Sequence, residues 1–195
     1  MPFDDKELLD LFIVASKRMS ENSDRCRNLI YTQNRIDKNI IREPEVTYVI
    51  AQLLSEKNIQ FGLEVPTNKE YFISSTNSDY ANTDLAINPK DKQINIEFKV
   101  DQPNPKEIKK DIAKLLREEV FGTAFFHILK NYNIKTLPKL LYKFEVAFKE
   151  LRHIDKSKKW FLFFIYVKEK NEYFWQFFED IRNISDFNVK GPNKV

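Results

Sequence analysis

Two short β-strands joined by a tight turn are predicted by the segment Thr83–Val100, whose sequence is TDLAINPKDKQINIEFKV. In the second half of this segment apolar and polar residues alternate strictly, which is typical of a strand with one apolar face. The apolar positions are Ile94, Ile96, Phe98 and Val100.

The polar face of this strand brings ionisable groups together. If Asn88 pairs with Gln93 across the turn, Asp84 lies opposite Glu97, and Lys99 lies about 7 Å further along the same face. Two carboxylates held side by side are costly unless a cation neutralises them. Carboxylates on rigid strands suit a hard cation such as magnesium.

Asp84, followed after twelve intervening residues by Glu97-Phe98-Lys99, resembles the PD-(D/E)xK signature of the restriction-endonuclease-like superfamily. The resemblance covers roughly residues 42–167, and Thr83 stands where the family name has a proline. It implies a small α/β core of the order αβββαβ and, in most members, a metal-dependent nuclease.

The expected chemistry is hydrolysis of a phosphodiester bond. Asp84 and Glu97 are expected to hold one or two Mg²⁺ (or Mn²⁺) ions, which lower the pKa of a bound water. Lys99 is expected to orient this water or to stabilise the developing charge. A lowered ammonium pKa near the metal would also let it share in proton transfer.

The resemblance also implies a further glutamate near the start of the first core helix. Glu43 is aimed better towards the apolar side of that helix and is expected among the catalytic residues. Glu45 remains a candidate metal ligand, and Glu64 on the next strand is a third candidate. Pro44 weakens the case for Glu43, because a residue before proline avoids the helical conformation. Any of these acids could instead favour a helix N-terminus.

The remaining pattern predicts an α/β fold with a central mixed β-sheet flanked by helices. The whole chain, 1–195, is expected to form a single domain with a helical N-terminal addition (1–42), a nuclease-like core (43–167) and a C-terminal helix and tail (168–195). Helices are predicted for Lys6–Ser20, Arg25–Ile40, from Pro44, from Pro105, from Thr136 to Leu151 and for Tyr173–Ile184; strands are predicted for Gln60–Val65, Tyr71–Ser74, Thr123–Leu129 and Trp160–Val167.

Three lysines on the helix after Pro105 are candidate nucleic-acid contacts. The apolar spacing of this helix predicts that Lys109, Lys110 and Lys114 point outward. Such a row is usually a solvated helix face. Its position after the strand of Glu97 is also where a nuclease would meet backbone phosphates.

Composition limits the other function classes. The chain has 195 residues, a net charge of +3 and 42% hydrophobic residues, which excludes disorder, and it has no apolar run long enough for a membrane span. An acidic N-terminus predicts no signal peptide, and a single cysteine, Cys26, fits a reducing cytoplasm. With only His127 and His153, a three-histidine metal site is not expected, and His127 is expected to pack in the core.

The expected partner is nucleic acid, DNA more than RNA, without a membrane. An endonuclease or exonuclease in restriction, repair, mobile-element or phage-defence settings fits this expectation. The first alternative is a non-catalytic module of the same fold that binds nucleic acid or protein. The second is an unrelated α/β interaction domain whose aromatic C-terminal half contacts a partner. A spare aromatic stripe there is a candidate homodimer contact.

Overall fold

The computed structural model describes residues 3–21, 42–67, 71–72, 78–79, 81–88, 90–151, 154 and 157–195. The predicted helix Arg25–Ile40, together with Cys26 and His153, lies outside these residues. Within the described ranges, no helix is long and apolar enough to cross a membrane. The helices are α1 (Asp5–Glu21), α2 (Glu43–Glu56), α3 (Pro105–Arg117) and α4 (Thr136–Glu150); the strands are β1 (Phe61–Pro66), β2 (Tyr71–Phe72), β3 (Ser78–Asp79), β4 (Asn82–Ile87), β5 (Ile94–Val100), β6 (Gly122–Leu129), β7 (Trp160–Val167), β8 (Glu172–Phe178) and β9 (Lys190–Lys194).

A seven-stranded mixed sheet forms the centre, in the order β1-β4-β5-β6-β7-β8-β9. Strands β5, β6 and β7 run parallel to one another, and every other neighbouring pair is antiparallel. Strands β2 and β3 pair separately, so the predicted strand at Tyr71 lies outside the central sheet. The elements α2, β1, β4, β5, α3 and β6 follow one another in the predicted αβββαβ order. The α/β fold class is therefore confirmed.

Helices cover both faces of the sheet. One apolar core joins α1 and α2 to Ile94, Ile96 and Phe98 on one face of β5, as the alternation in the sequence predicts. A second core joins α3 and α4 to the opposite face of β6 and β7. Strands β5 and β6 are buried on both faces, as is usual for parallel strands flanked by helices.

Local sequence sets the start of α3. The side chain of Asn104 accepts the backbone N–H of Glu107 at 3.0 Å, and the Glu107 carboxylate accepts the backbone N–H of Asn104 at 3.0 Å. Pro105 occupies the first helical position, where its missing N–H costs nothing. This reciprocal cap begins α3 five residues after β5 ends, and α3 then packs back against β5.

The predicted C-terminal helix Tyr173–Ile184 is wrong. Residues Glu172–Phe178 form β8 instead, which pairs antiparallel with β7 and is followed by a short 3₁₀ turn at Ile181–Asn183. The aromatic run YFWQFF favours an extended conformation, and β7 offers it an apolar neighbour. Asn171 adopts a left-handed conformation with φ of 50° and closes the tight β7–β8 connection.

Strand β9 forms the edge of the sheet beyond β8. Its sequence is KGPNK, and most of its residues are exposed. The ammonium of Lys190 lies 4.5 Å from the centre of the Trp175 ring on β8, which is a cation–π distance. The edge is therefore short, cationic and interrupted by Pro192.

Candidate active site

Asp84 and Glu97 lie opposite each other on β4 and β5. The ladder pairs Leu85 with Ile96, and continuing it by one residue places Asp84 across from Glu97. The Oδ2 atom of Asp84 accepts a hydrogen bond from the backbone N–H of Phe98 at 2.8 Å. The register predicted from the hairpin is therefore confirmed.

The carboxylate of Glu97 is enclosed by protein. Its exposed fraction is 0% because α3 packs against this part of β5. One oxygen, Oε2, accepts a hydrogen bond from the Lys114 ammonium. The other, Oε1, is buried without a hydrogen-bond partner among the described residues. A buried carboxylate oxygen left unpaired is costly, which makes it a candidate ligand atom.

Two residues of α3 complete the site, and the sequence pattern predicted neither of them there. Lys114 is only 5% exposed and also donates a hydrogen bond to the Asn82 carbonyl at 3.0 Å. Asp111, three residues earlier, lies 3.2 Å from the Lys114 ammonium. A helical wheel places Asp111 within about 40° of the buried Leu115. An acid that close to an apolar stripe is the signal that could have identified it.

Lys99 links α2 to α3. Its ammonium lies 3.2 Å from Asp111 Oδ2 and 3.4 Å from Glu43 Oε1. The side chain is only 16% exposed, so the ammonium is held near the surface between two carboxylates. We call the following six residues the carboxylate–lysine cluster: Glu43, Asp84, Glu97, Lys99, Asp111 and Lys114.

The other candidate acids lie in different settings. The Glu45 carboxylate accepts the backbone N–H of Arg42 at 3.1 Å and so caps the start of α2. Glu64 is exposed on the edge strand β1 and has a left-handed φ of 48°. Of the three predicted acids, the structure brings Glu43 to the cluster.

The three predicted surface lysines divide between the two sides of α3. Lys109 forms an ion pair with Glu150 of α4 at 3.0 Å, and Lys110 is exposed. Lys114 does not point outward as predicted, because its ammonium reaches the buried Glu97. Only Lys109 and Lys110 of the predicted row therefore face solvent.

The carboxylates of Asp84 and Glu97 bind protons more strongly than the same side chains would in water. Burial raises the pKa of Glu97 well above its ordinary value, and the Asp84 carboxylate raises it further. Burial also raises the pKa of Asp84, although the hydrogen bond from Phe98 lowers it.

Both lysines of the cluster have a raised pKa. Burial by itself lowers the pKa of the Lys99 and Lys114 ammoniums, but the neighbouring carboxylates outweigh this effect. These carboxylates are chiefly Asp111 and Glu43 for Lys99, and Glu97 and Asp111 for Lys114. The cluster contains four carboxylates and two ammoniums, so it carries a net negative charge when all six groups are ionised.

The donor atoms of the cluster suit a hard divalent cation, but their present arrangement does not form a coordination site for one. Asp84 and Glu97 offer carboxylate oxygens from two neighbouring strands, and Glu97 Oε1 has no partner among the residues described. In the part of the chain that the structure describes, no three acidic, histidine or cysteine side chains are grouped as a metal site. The Lys114 ammonium contacts Glu97 instead.

His127 is a core residue, as predicted. It is fully buried on β6, and its Nε2 atom donates to the carbonyl of Asp101 at 2.8 Å. Its ring stacks on Phe125 with 6.4 Å between centroids and meets Phe144 edge-on. Burial lowers the pKa of His127 to about 3, so the ring stays neutral at physiological pH.

Comparison with known proteins gives little similarity. No protein-family model matches the chain, and no curated protein matches it either. Among solved structures, the chain is similar to the central domain of yeast acetyl-CoA carboxylase, with 11% sequence identity and a TM-score of 0.38. The alignment covers 88% of this chain and 34% of that one, so this chain spans about a third of that structure's length. A likeness this distant bears on neither fold nor function.

Proposed function

We propose that this protein is a metal-dependent nuclease that hydrolyses phosphodiester bonds, with DNA as the expected substrate. The observation that carries the proposal is the placement of Asp84 opposite Glu97, with Lys99 two residues further along β5. The resemblance to the PD-(D/E)xK superfamily rests on these same residues. The order α2, β1, β4, β5, α3, β6 supports it independently of them.

Asp84 and Glu97 would hold the divalent ion, Mg²⁺ or Mn²⁺. When bound, such an ion supplies an acidified water and neutralises charge on the phosphoryl group. The hydrogen bond from Phe98 fixes one oxygen of Asp84 against β5, and Oδ1 is the atom that Asp84 would contribute to the ion. Glu97 would contribute Oε1, the oxygen that has no partner among the described residues.

Lys99 is the group best placed to stabilise negative charge on the substrate. Asp111 and Glu43 hold its ammonium from two sides, and both raise its pKa. A lysine with a raised pKa remains a cation at neutral pH. We therefore assign Lys99 to charge stabilisation rather than to proton abstraction, the other role that its residue type allows.

Lys109 and Lys110 would extend the contact along α3. Both lie on the helix that packs against β5, on its solvent side. Cationic side chains there could bind backbone phosphates on either side of the scissile bond. Such contacts fix the position of the strand without reading its sequence.

A cleavage assay tests the proposal. Supercoiled plasmid, linear duplex, single-stranded DNA and single-stranded RNA are incubated with the protein in Mg²⁺ or Mn²⁺, and with excess chelator. We expect metal-dependent cleavage that Glu97→Gln abolishes. Asp91→Asn is the matched control, because Asp91 is an exposed acid in the turn of the same hairpin. Cleavage that survives either chelator or Glu97→Gln would refute the assignment.

The second candidate is a non-catalytic module of this fold that binds nucleic acid or protein. One observation favours it, which is that Glu97 is fully buried and already paired with Lys114. A structural ion pair would need no metal. This alternative predicts nucleic-acid binding without cleavage and no heat of Mg²⁺ or Mn²⁺ binding in calorimetry.

A further inference from the structure

Lys114 is the more deeply buried of the two lysines in the carboxylate–lysine cluster. Among the described residues its ammonium has these oxygen partners: Glu97 Oε2, Asp111 Oδ1 at 3.2 Å and the Asn82 carbonyl at 3.0 Å. At 5% exposure it has given up most of its water. These partners replace hydration, so the ammonium neutralises a carboxylate that would otherwise be buried alone.

This position conflicts with occupancy by a divalent ion. Glu97 is the shared group, because it pairs with Lys114 through Oε2 and would bind an ion through Oε1. Two cations on one carboxylate repel each other strongly where water is excluded. We propose that Lys114 is an internal counter-cation that competes with the divalent ion for Glu97 and thereby sets the metal affinity of the site. The inference rests on the proposed metal-dependent function.

Two of the present partners of Lys114 would remain available to the displaced ammonium. Asp111 and the Asn82 carbonyl are both within reach of Lys114 and lie outside the Asp84–Glu97 pair. Release from Glu97 would therefore not leave the ammonium unpaired. The Asp111 carboxylate faces Lys114 with Oδ1 and Lys99 with Oδ2, so it holds both cations of the cluster.

Calorimetric titration of the full chain with Mg²⁺ and Mn²⁺ tests the inference without an activity assay. We expect Lys114→Met and Lys114→Gln to bind the ion at least about tenfold more tightly than wild type, the scale on which outer partners change metal affinity. The Gln variant can still donate a hydrogen bond to Glu97, which protects against failure of the Met variant to fold. Lys106→Met is the control for a general reduction of charge on α3, because Lys106 is an exposed lysine of the same helix, and the metal affinity of this variant should stay near that of wild type.

A double-mutant cycle separates specific competition from background electrostatics. Asp111→Asn removes the carboxylate that would receive the displaced ammonium. As a single substitution it should therefore weaken metal binding. In the Lys114→Gln background the same change should weaken it less. Equal effects in both backgrounds would overturn the link between Asp111 and Lys114.

The outcomes also distinguish this inference from the proposed function. If wild type binds the ion and the neutral Lys114 variants bind it no more tightly, the competition is refuted and the nuclease proposal stands. If only the neutral variants bind the ion, the competition is supported in its strongest form. If no variant binds at millimolar Mg²⁺ or Mn²⁺, both proposals fail.

Discussion

The carboxylate of Asp84 accepts the backbone N–H of Phe98 at 2.8 Å and so acts as part of the β4–β5 ladder. This hydrogen bond gives Asp84 a structural role beside its proposed role as a metal ligand. An asparagine can accept the same N–H through its side-chain oxygen, whereas an alanine cannot. The two substitutions therefore separate the two roles.

We expect Asp84→Asn to unfold at nearly the same urea concentration as wild type in the absence of metal. Asp84→Ala should be less stable by about 1–2 kcal/mol, the cost of leaving a largely buried N–H unpaired. Both variants should show nuclease activity reduced by at least about a hundredfold, because neither has the charged ligand. Equal destabilisation by Asn and Ala would show that the charge, not the hydrogen bond, holds the hairpin.

Lys99 offers a test of charge stabilisation. We expect Lys99→Met to lower the single-turnover cleavage rate at least about a hundredfold, while Lys99→Arg keeps part of the rate because it keeps the cation. Because the pKa of Lys99 is raised, its ammonium should keep its proton, and deprotonation of Lys99 should cause no decrease in activity below about pH 10. Lys90→Met, an exposed lysine in the turn between β4 and β5, is the control. An Arg variant as inactive as the Met variant would argue for proton transfer instead.

The exposed lysines of α3 should affect salt dependence. Neutralising Lys109 and Lys110 with glutamine should flatten the slope of log affinity against log salt by up to about 0.9 for each phosphate that is no longer neutralised. Labelled DNA in Ca²⁺ allows the measurement, since calcium usually supports binding without hydrolysis in sites of this kind. Lys57→Gln is the control, because it ends α2 about 20 Å from Glu43. An unchanged slope would remove α3 from the substrate surface and leave the cluster intact.

His127 should make the fold sensitive to acid. Its folded pKa of about 3 lies below the ordinary value of 6.5, so the unfolded chain binds more protons between these pH values. The stability that neutral His127 contributes is complete above about pH 6.5 and declines as the pH falls towards 3. At pH 5.5 the decrease should be about 1.4 kcal/mol relative to the stability at high pH.

Urea unfolding at pH 7 and pH 5.5 measures most of this decrease, because about 0.2 kcal/mol of it is already lost at pH 7. His127→Phe cannot titrate, so it should be less sensitive to this pH change, even though it cannot make the hydrogen bond to the Asp101 carbonyl. A variant with the same pH dependence as wild type would place the acid sensitivity elsewhere in the chain.

The sequence predicts the structure best where one face of a strand or helix must be apolar. The alternation of Ile94, Ile96 and Phe98 determines the register of the β4–β5 hairpin, because a slip by one residue would bury the wrong face. Together with a pairing of Asn88 with Gln93 across the turn, this alternation places Asp84 opposite Glu97. Pro105 likewise predicts the start of α3.

The prediction fails where the same residues are compatible with two different structures. An exposed Lys114 is expected because lysines beside an apolar stripe usually face solvent, and no local pattern indicates that Glu97 lies beneath it. The run from Tyr173 to Phe178 fits both a helical stripe and an extended aromatic strand. Only its pairing with β7, a contact between separate elements of the sheet, decides between them.

Strand β9 has a consequence for how the protein behaves at high concentration. A sheet edge normally presents free N–H and C=O groups that can recruit a strand from another molecule. Pro192 has no N–H to offer, and the lysines at both ends of β9 repel a second copy of the same edge. Behind it lie the aromatic-rich strands β8 and β7, which would make an effective template for aggregation if they formed the edge themselves. Strand β9 thus covers the aromatic strands with an edge that is chemically unsuited to extend the sheet.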